Sequence, residues 1–206
     1  TLTARLFFNL TCVHCFCKLP VMRHWLFTNT TYGTWLPGSE RGSVSSVRDR
    51  RAGDPMLATR QEHDQSGEPW ESALSGIYRS ASSLLKCPPI YLTLTQSEIL
   101  LAQFQETARY RDRTLLAVAI MTNHWHLVVT VPGDPEPDRV LTDFKAYGSR
   151  PLNREFGKPA SGTWWTMRGS KRKLPDAQAL ASAINYVLYK QPNPLVVWSH
   201  DHGRLI

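Results

Sequence analysis

Two apolar runs of strand length, TLLAVAIM (residues 114–121) and HWHLVVTV (124–131), stand a Thr-Asn step apart. So short a connection closes an antiparallel hairpin, and strands with so few polar positions must be covered on both faces. The hairpin therefore belongs at the centre of a sheet, and the rest of the chain has to supply its neighbours and its covering layers.

The flanking segments read accordingly. RHWLFTNTTYGTWL (23–36), rich in Trp, Phe, Thr and Tyr and stopped by Pro37-Gly38, is a strand with a turn behind it. Residues 37–69 are polar and rich in Gly, Ser and Arg, which predicts a long surface loop or insertion. A short helix is expected over 70–86, before Cys87-Pro88-Pro89, and IYLTLT opens an extended piece. Thr95 followed by Gln96, Ser97 and Glu98 reads as a helix start, with Ile99, Leu100, Phe104 and Ala108 at helical spacing up to about Arg111. Asp138 to about Phe156 reads as a second helix with Val140, Phe144 and Tyr147 inward and Lys145, Arg150 and Arg154 wet. GTWWT suggests a further strand, MRGSKRK a basic loop, and Pro175-Asp176 the start of a last helix that runs to about Lys190, ahead of Pro192.

In order, these elements give an α+β fold: a ferredoxin-like (split βαβ) antiparallel sheet with helices on one face and an extra C-terminal helix that carries tyrosines. A single domain is expected over 22–200, with 1–21 as an N-terminal extension outside the fold and 201–206 as a tail.

Charge and cysteines narrow the function. Lys+Arg number 24 against 17 Asp+Glu, a formal charge of +7, which favours a polyanionic partner such as nucleic acid. Every hydrophobic stretch is interrupted before the ~18–20 residues that a membrane-spanning helix needs. Cys12, Cys15 and Cys17 crowd into CVHCFC, but only Cys87 and scattered histidines remain for a second ligand pair, so a finger-type zinc site is not expected. The N-terminal stretch lacks a clean basic region and a small-residue cleavage site, which disfavours secretion.

Chemistry concentrates in two places. His124 and His126 are two apart on a strand, so alternation puts both imidazoles on one face and Trp125 and Leu127 on the other. Such a pair in an apolar strand needs partners: a shared divalent cation on one reading, ordinary sheet hydrogen bonds on the other. In the last helix, Leu180, Ile184, Val187 and Leu188 form the apolar stripe, which turns Tyr186 away from the helix's own core contacts and leaves Tyr189 on the flank. Arg168, Lys171, Arg172 and Lys173 lie between these two regions and, with Lys145 and Arg150, suit phosphate contacts; a solvated loop is the plainer account. Trp164 and Trp165 are adjacent, so at least one belongs to the core.

NHWHLVV, followed by a helix with Tyr186 and then Gln191, resembles the HUH single-tyrosine transposases, small insertion-sequence enzymes and their REP-associated relatives. The likeness extends over HWLFTNTTYGTWLPG, FQETARYR, DFKAYGSRPLN and GTWWTMRGSKRKL, from about Met22 to Trp198. The resemblance implies the same ferredoxin-like fold and a DNA transposase. In it His124 and His126, with Gln191, hold Mg²⁺ or Mn²⁺, while Tyr186 attacks a phosphate of single-stranded or hairpin DNA to give a 5′-phosphotyrosine and a free 3′-OH. It further implies a homodimer working in a bacterial cytoplasm, at the nucleoid. The family usually places the amide four residues after the tyrosine, whereas Gln191 is five after Tyr186; Tyr189 with Asn193 keeps the spacing of four and stands as the alternative pair. That departure also permits a nucleic-acid-binding protein derived from such an element that has lost catalysis.

Overall fold

In a computed structural model, the described residues are 21–39 and 75–206. The N-terminal extension with its CVHCFC cluster and most of the long loop expected over 37–69 lie outside them.

The elements run β1 (Met22–Thr30), α1 (Ser75–Ser83), α2 (Leu94–Tyr110), β2 (Thr114–Ile120), β3 (His124–Pro132), α3 (Pro137–Phe156), β4 (Ser170–Leu174), α4 (Ala177–Tyr189), β5 (Val196–Ser199) and β6 (Gly203–Arg204). They build one six-stranded sheet in the order β4-β1-β3-β2-β5-β6, with every pairing antiparallel. Its first four positions are the split βαβ arrangement read from the sequence, and the 114–131 hairpin is its centre.

The two faces of the sheet divide by side-chain alternation. Trp25 and Phe27 of β1, Val118 and Ile120 of β2, and Trp125, Leu127, Val129 and Val131 of β3 pack under α2 and α3. There Phe104 lies edge-on to both Trp125 and Phe144, at 5.0 and 5.6 Å between ring centroids. The opposite face carries Leu26, Ala117, Ala119, Val128 and Val197 and is covered by α4 through Ala183 and Val187. Burying side chains of this size stabilises by roughly 1.5–3 kcal/mol each, so both layers are firmly attached.

Three expectations are corrected. Helix α2 starts two residues earlier than the Thr95 signature suggested: Thr93 is its cap, and Gln96 completes a reciprocal capping box. The fourth strand is SKRKL, not GTWWT; Trp165 makes only an isolated bridge to Thr31. As expected of at least one, both tryptophans are core, with their indole N–H groups donating to Asn153 from Trp164 and to the Lys145 carbonyl and Ser149 from Trp165. Residues expected as a tail carry β6, which pairs with Trp198 and Ser199.

Candidate active site

The β2–β3 turn presents the first histidine. Met121 N–H bonds the His124 carbonyl at 2.8 Å, and the Asn123 carbonyl accepts from Thr31 N–H and from the Thr31 and Thr34 hydroxyls. Within that fixed turn, Asn123 Oδ1 lies 2.6 Å from His124 Nδ1. A carbonyl oxygen can only accept, so this contact is a hydrogen bond when Nδ1 carries a proton.

His126 is one strand residue pair further in and 6% exposed. Its register partner on β1 is Thr28, whose Oγ1 lies 2.6 Å from His126 Nδ1. The Gln191 side chain approaches the same ring. Burial pushes the His126 imidazole down to about 3, and neighbouring His124 adds to the effect while Gln191 opposes it. At neutral pH this ring is uncharged, the state in which imidazole ligates a cation. The two rings stand edge to face, 4.9 Å between centroids.

Helix α4 crosses directly over this pair. Asp176 caps it by accepting from Ala179 N–H, and its apolar side settles on the small residues Ala117 and Ala119. Tyr186 is 44% exposed, and its ring meets the His126 ring at 5.5 Å between centroids, 74° apart in plane. The helix ends at Tyr189, just before the proline, and Gln191 turns back so that its Nε2 donates to the Tyr186 carbonyl at 3.0 Å. That reversal lets a residue five positions past the tyrosine reach the histidines without continuing the helix. Tyr189 is 64% exposed and lines a separate cleft with Ser199, His200, Asp201 and His202. Asn193 is exposed, in the left-handed region at φ 47°. The structure thus gathers His124, His126, Tyr186 and Gln191 and leaves the alternative pair aside.

The basic residues do not form the single groove that was expected. Strand register puts Arg172 on the histidine face and Lys171 and Lys173 on the other, where Lys171 pairs with Asp138 at 2.6 Å. Arg150 stacks on Tyr147, 4.3 Å from the ring centroid, in the helix layer across the sheet. Lys145 is turned inward: its ammonium donates to the carbonyls of Thr166, Met167 and Arg168 at 2.6, 3.2 and 3.1 Å. Burial, with Lys171 nearby, pulls Lys145 down to about 8, against the opposing pull of Asp138. Its three donors are spent on backbone, so Lys145 is not a phosphate contact. Arg168 is exposed, on the loop that Lys145 holds.

Thr28, Asn123 and the clamp role of Lys145 escaped the sequence reading. Asn123 is adjacent to His124 and was legible as a local partner; Thr28 becomes one only through strand register.

A split βαβ sheet thus carries a histidine pair on a central strand, faced by a tyrosine-bearing helix. Residues 91–169, a stretch that contains both histidines, match the family model described as Transposase IS200 like. Tyr186 and Gln191 lie beyond the matched residues. Among solved structures, the chain is similar to one described as the structure of the REP-associated tyrosine transposase bound to a REP hairpin, at 13% identity and a TM-score of 0.42. That match covers 80% of this chain and 64% of the other. No curated protein matches the sequence.

Proposed function

We propose that this protein is a DNA transposase that cuts and rejoins single-stranded or hairpin DNA through a covalent 5′-phosphotyrosine on Tyr186. The observation that carries this reading is the meeting of the Tyr186 ring with His126, in a cluster completed by His124 and Gln191.

The donor set fits a divalent ion. Hydrogen bonds at both Nδ1 atoms orient the rings, as ligating imidazoles usually require, and Gln191 brings an amide to the same point. Among the described residues no cluster of three or more His, Cys, Asp or Glu side chains forms a metal cage. Two imidazoles and an amide would hold a divalent ion at few points and leave the rest of its shell to phosphate oxygens and water, the hard donors that Mg²⁺ and Mn²⁺ prefer. Such an ion, when bound, withdraws charge from a phosphate and stabilises the developing oxyanion.

The chain's own residues do the rest. A protonated phenol is a weak nucleophile, so Tyr186 must lose its proton as its oxygen attacks phosphorus. The P–O3′ bond breaks, the 3′-oxygen leaves with a proton, and the 5′-phosphate stays on Tyr186. Attack by another 3′-OH reverses the step and frees the phenol, with no external energy source. Helix α4, packed on Ala117 and Ala119, fixes the approach of the phenol. A homodimer, implied by the family resemblance, belongs to this proposal as well.

The test is incubation of the protein with hairpin oligonucleotides and Mn²⁺ or Mg²⁺, followed by a denaturing gel for a covalent protein–DNA band. Tyr186→Phe is expected to abolish the band and Tyr189→Phe to spare it. Binding without any adduct from the wild type would leave a DNA-binding protein that has lost catalysis.

A further inference from the structure

The loop from Thr166 to Gly169 combines a fixed backbone with a bare tip. Lys145 holds three successive carbonyls of it. Asn29, 1% exposed, donates its side-chain amide to the Arg168 carbonyl. The Thr166 hydroxyl lies 2.9 Å from that of Thr30. Gly169 packs so closely that a Cβ there would meet Asn29 Nδ2 and Leu141 Cδ2 at 2.8 Å and the Thr28 carbonyl at 2.9 Å. Met167, at the centre of this clamp, is 95% exposed.

A scattered surface apolar residue needs no explanation. Here, however, the loop spends a largely desolvated lysine and a buried asparagine on holding still the one segment whose side chain touches nothing. That arrangement removes in advance the ordering cost of a contact not yet made.

Position says what the contact is. Thr30 and Thr28 are the β1 register partners of His124 and His126, and the loop is tied to the other side of β1. At strand spacing β4, into which the finger leads, lies two strands, roughly 10 Å, from β3 and its histidine pair. Exposed Arg168 follows Met167 in the chain, and Arg172 on β4 lies on the histidine face of the sheet. An apolar thioether packs on the face of a base or enters a base step, and an adjacent guanidinium holds the backbone beside it.

We infer that Thr166–Gly169 is a DNA-contact finger. Met167 packs against an unpaired base of the strand led into the histidine–tyrosine site, Arg168 holds the neighbouring phosphate, and Lys145 is the positioning residue that keeps the finger in place. The inference rests on the proposed function for its ligand class, single-stranded DNA, but not on cleavage.

The experiment uses the full chain without added metal and a DNA stem-loop with mixed-sequence unpaired flanks, in which 2-aminopurine replaces one flank base at a time. Wild type and Met167→Leu should change the fluorescence at one or two adjacent positions. Met167→Ala should lose that local response and bind about threefold or more weakly, the scale of a lost thioether–ring contact. Lys145→Met should blur the response over neighbouring positions while its far-ultraviolet circular dichroism stays that of the wild type. If Met167→Ala matches wild type at every position, the finger is wrong, whatever the covalent-adduct gel shows. A local response that depends on Met167, in a protein that forms no adduct with Mn²⁺, would uphold the finger and sink the cleavage reading. No DNA binding by the wild type would end both.

Discussion

Thr28 and His126, register partners on adjacent strands, are joined by a 2.6 Å contact between Oγ1 and Nδ1 in the buried floor of the site. Their pairing makes a β1 residue part of any chemistry on β3. Thr28→Val keeps the shape and removes the oxygen. It should cost about 1–3 kcal/mol in urea denaturation, the penalty for orphaning a buried polar atom. It should also weaken Mn²⁺ binding by calorimetry about 10- to 100-fold, the usual effect of losing a ligand's outer partner. Unchanged Mn²⁺ affinity would remove the threonine from the site.

Acid should act on His126 first. Its folded value, about 3, lies below the ordinary 6.5, so the unfolded chain takes up the proton that the folded chain refuses. Stability from this group is present above about 6.5 and is lost as pH falls from there towards 3. Between pH 6.5 and 5, before most carboxylates titrate, wild type should lose about 1–2 kcal/mol more than His126→Gln. Parallel pH profiles for the two proteins would contradict the burial argument.

Gln191 and Asn193 can be separated directly. Gln191→Ala should lower Mn²⁺ affinity and metal-dependent adduct formation by about tenfold or more, the scale of a lost donor. Asn193→Ala, at an exposed position, should leave both near wild type. A reversal of these effects would restore the four-residue spacing and Tyr189 with it.

In the helix layer, Asp143 receives Arg111 at 3.2 Å and Arg113 at 2.5 Å, and the Arg113 side chain is only 7% exposed. Desolvation pushes the Arg113 guanidinium down, and Asp143 opposes this through its hydrogen bond and its charge. Asp143→Ala should therefore cost about 3–5 kcal/mol, because a buried cation is left without its counter-charge. Urea unfolding should register the loss, and a change under 1 kcal/mol would argue that water reaches Arg113.

The sequence made the scaffold legible wherever a period was strict. The apolar hairpin, the alternation that puts both histidines on one face, and the stripe that leaves Tyr186 outward all follow from spacing within one element. What escaped depends on partners from other elements. GTWWT has a strand's composition, yet its indoles are used as plugs bonded to α3. SKRKL looks like a loop because an edge strand tolerates charge on both faces. Lys145 reads as a surface cation, and only the folded chain brings the carbonyls of 166–168 to its ammonium. Gln191 looked misplaced while the helix was extended through it; the turn after Tyr189 removes the objection.

The two alanines beneath α4, Ala117 and Ala119, act as a shim between sheet and helix. Their size sets the height at which the phenol rides above the imidazoles. A valine at either would raise the whole rod while altering no polar group, so the fit between the two halves is tuned from a place that touches neither reactant.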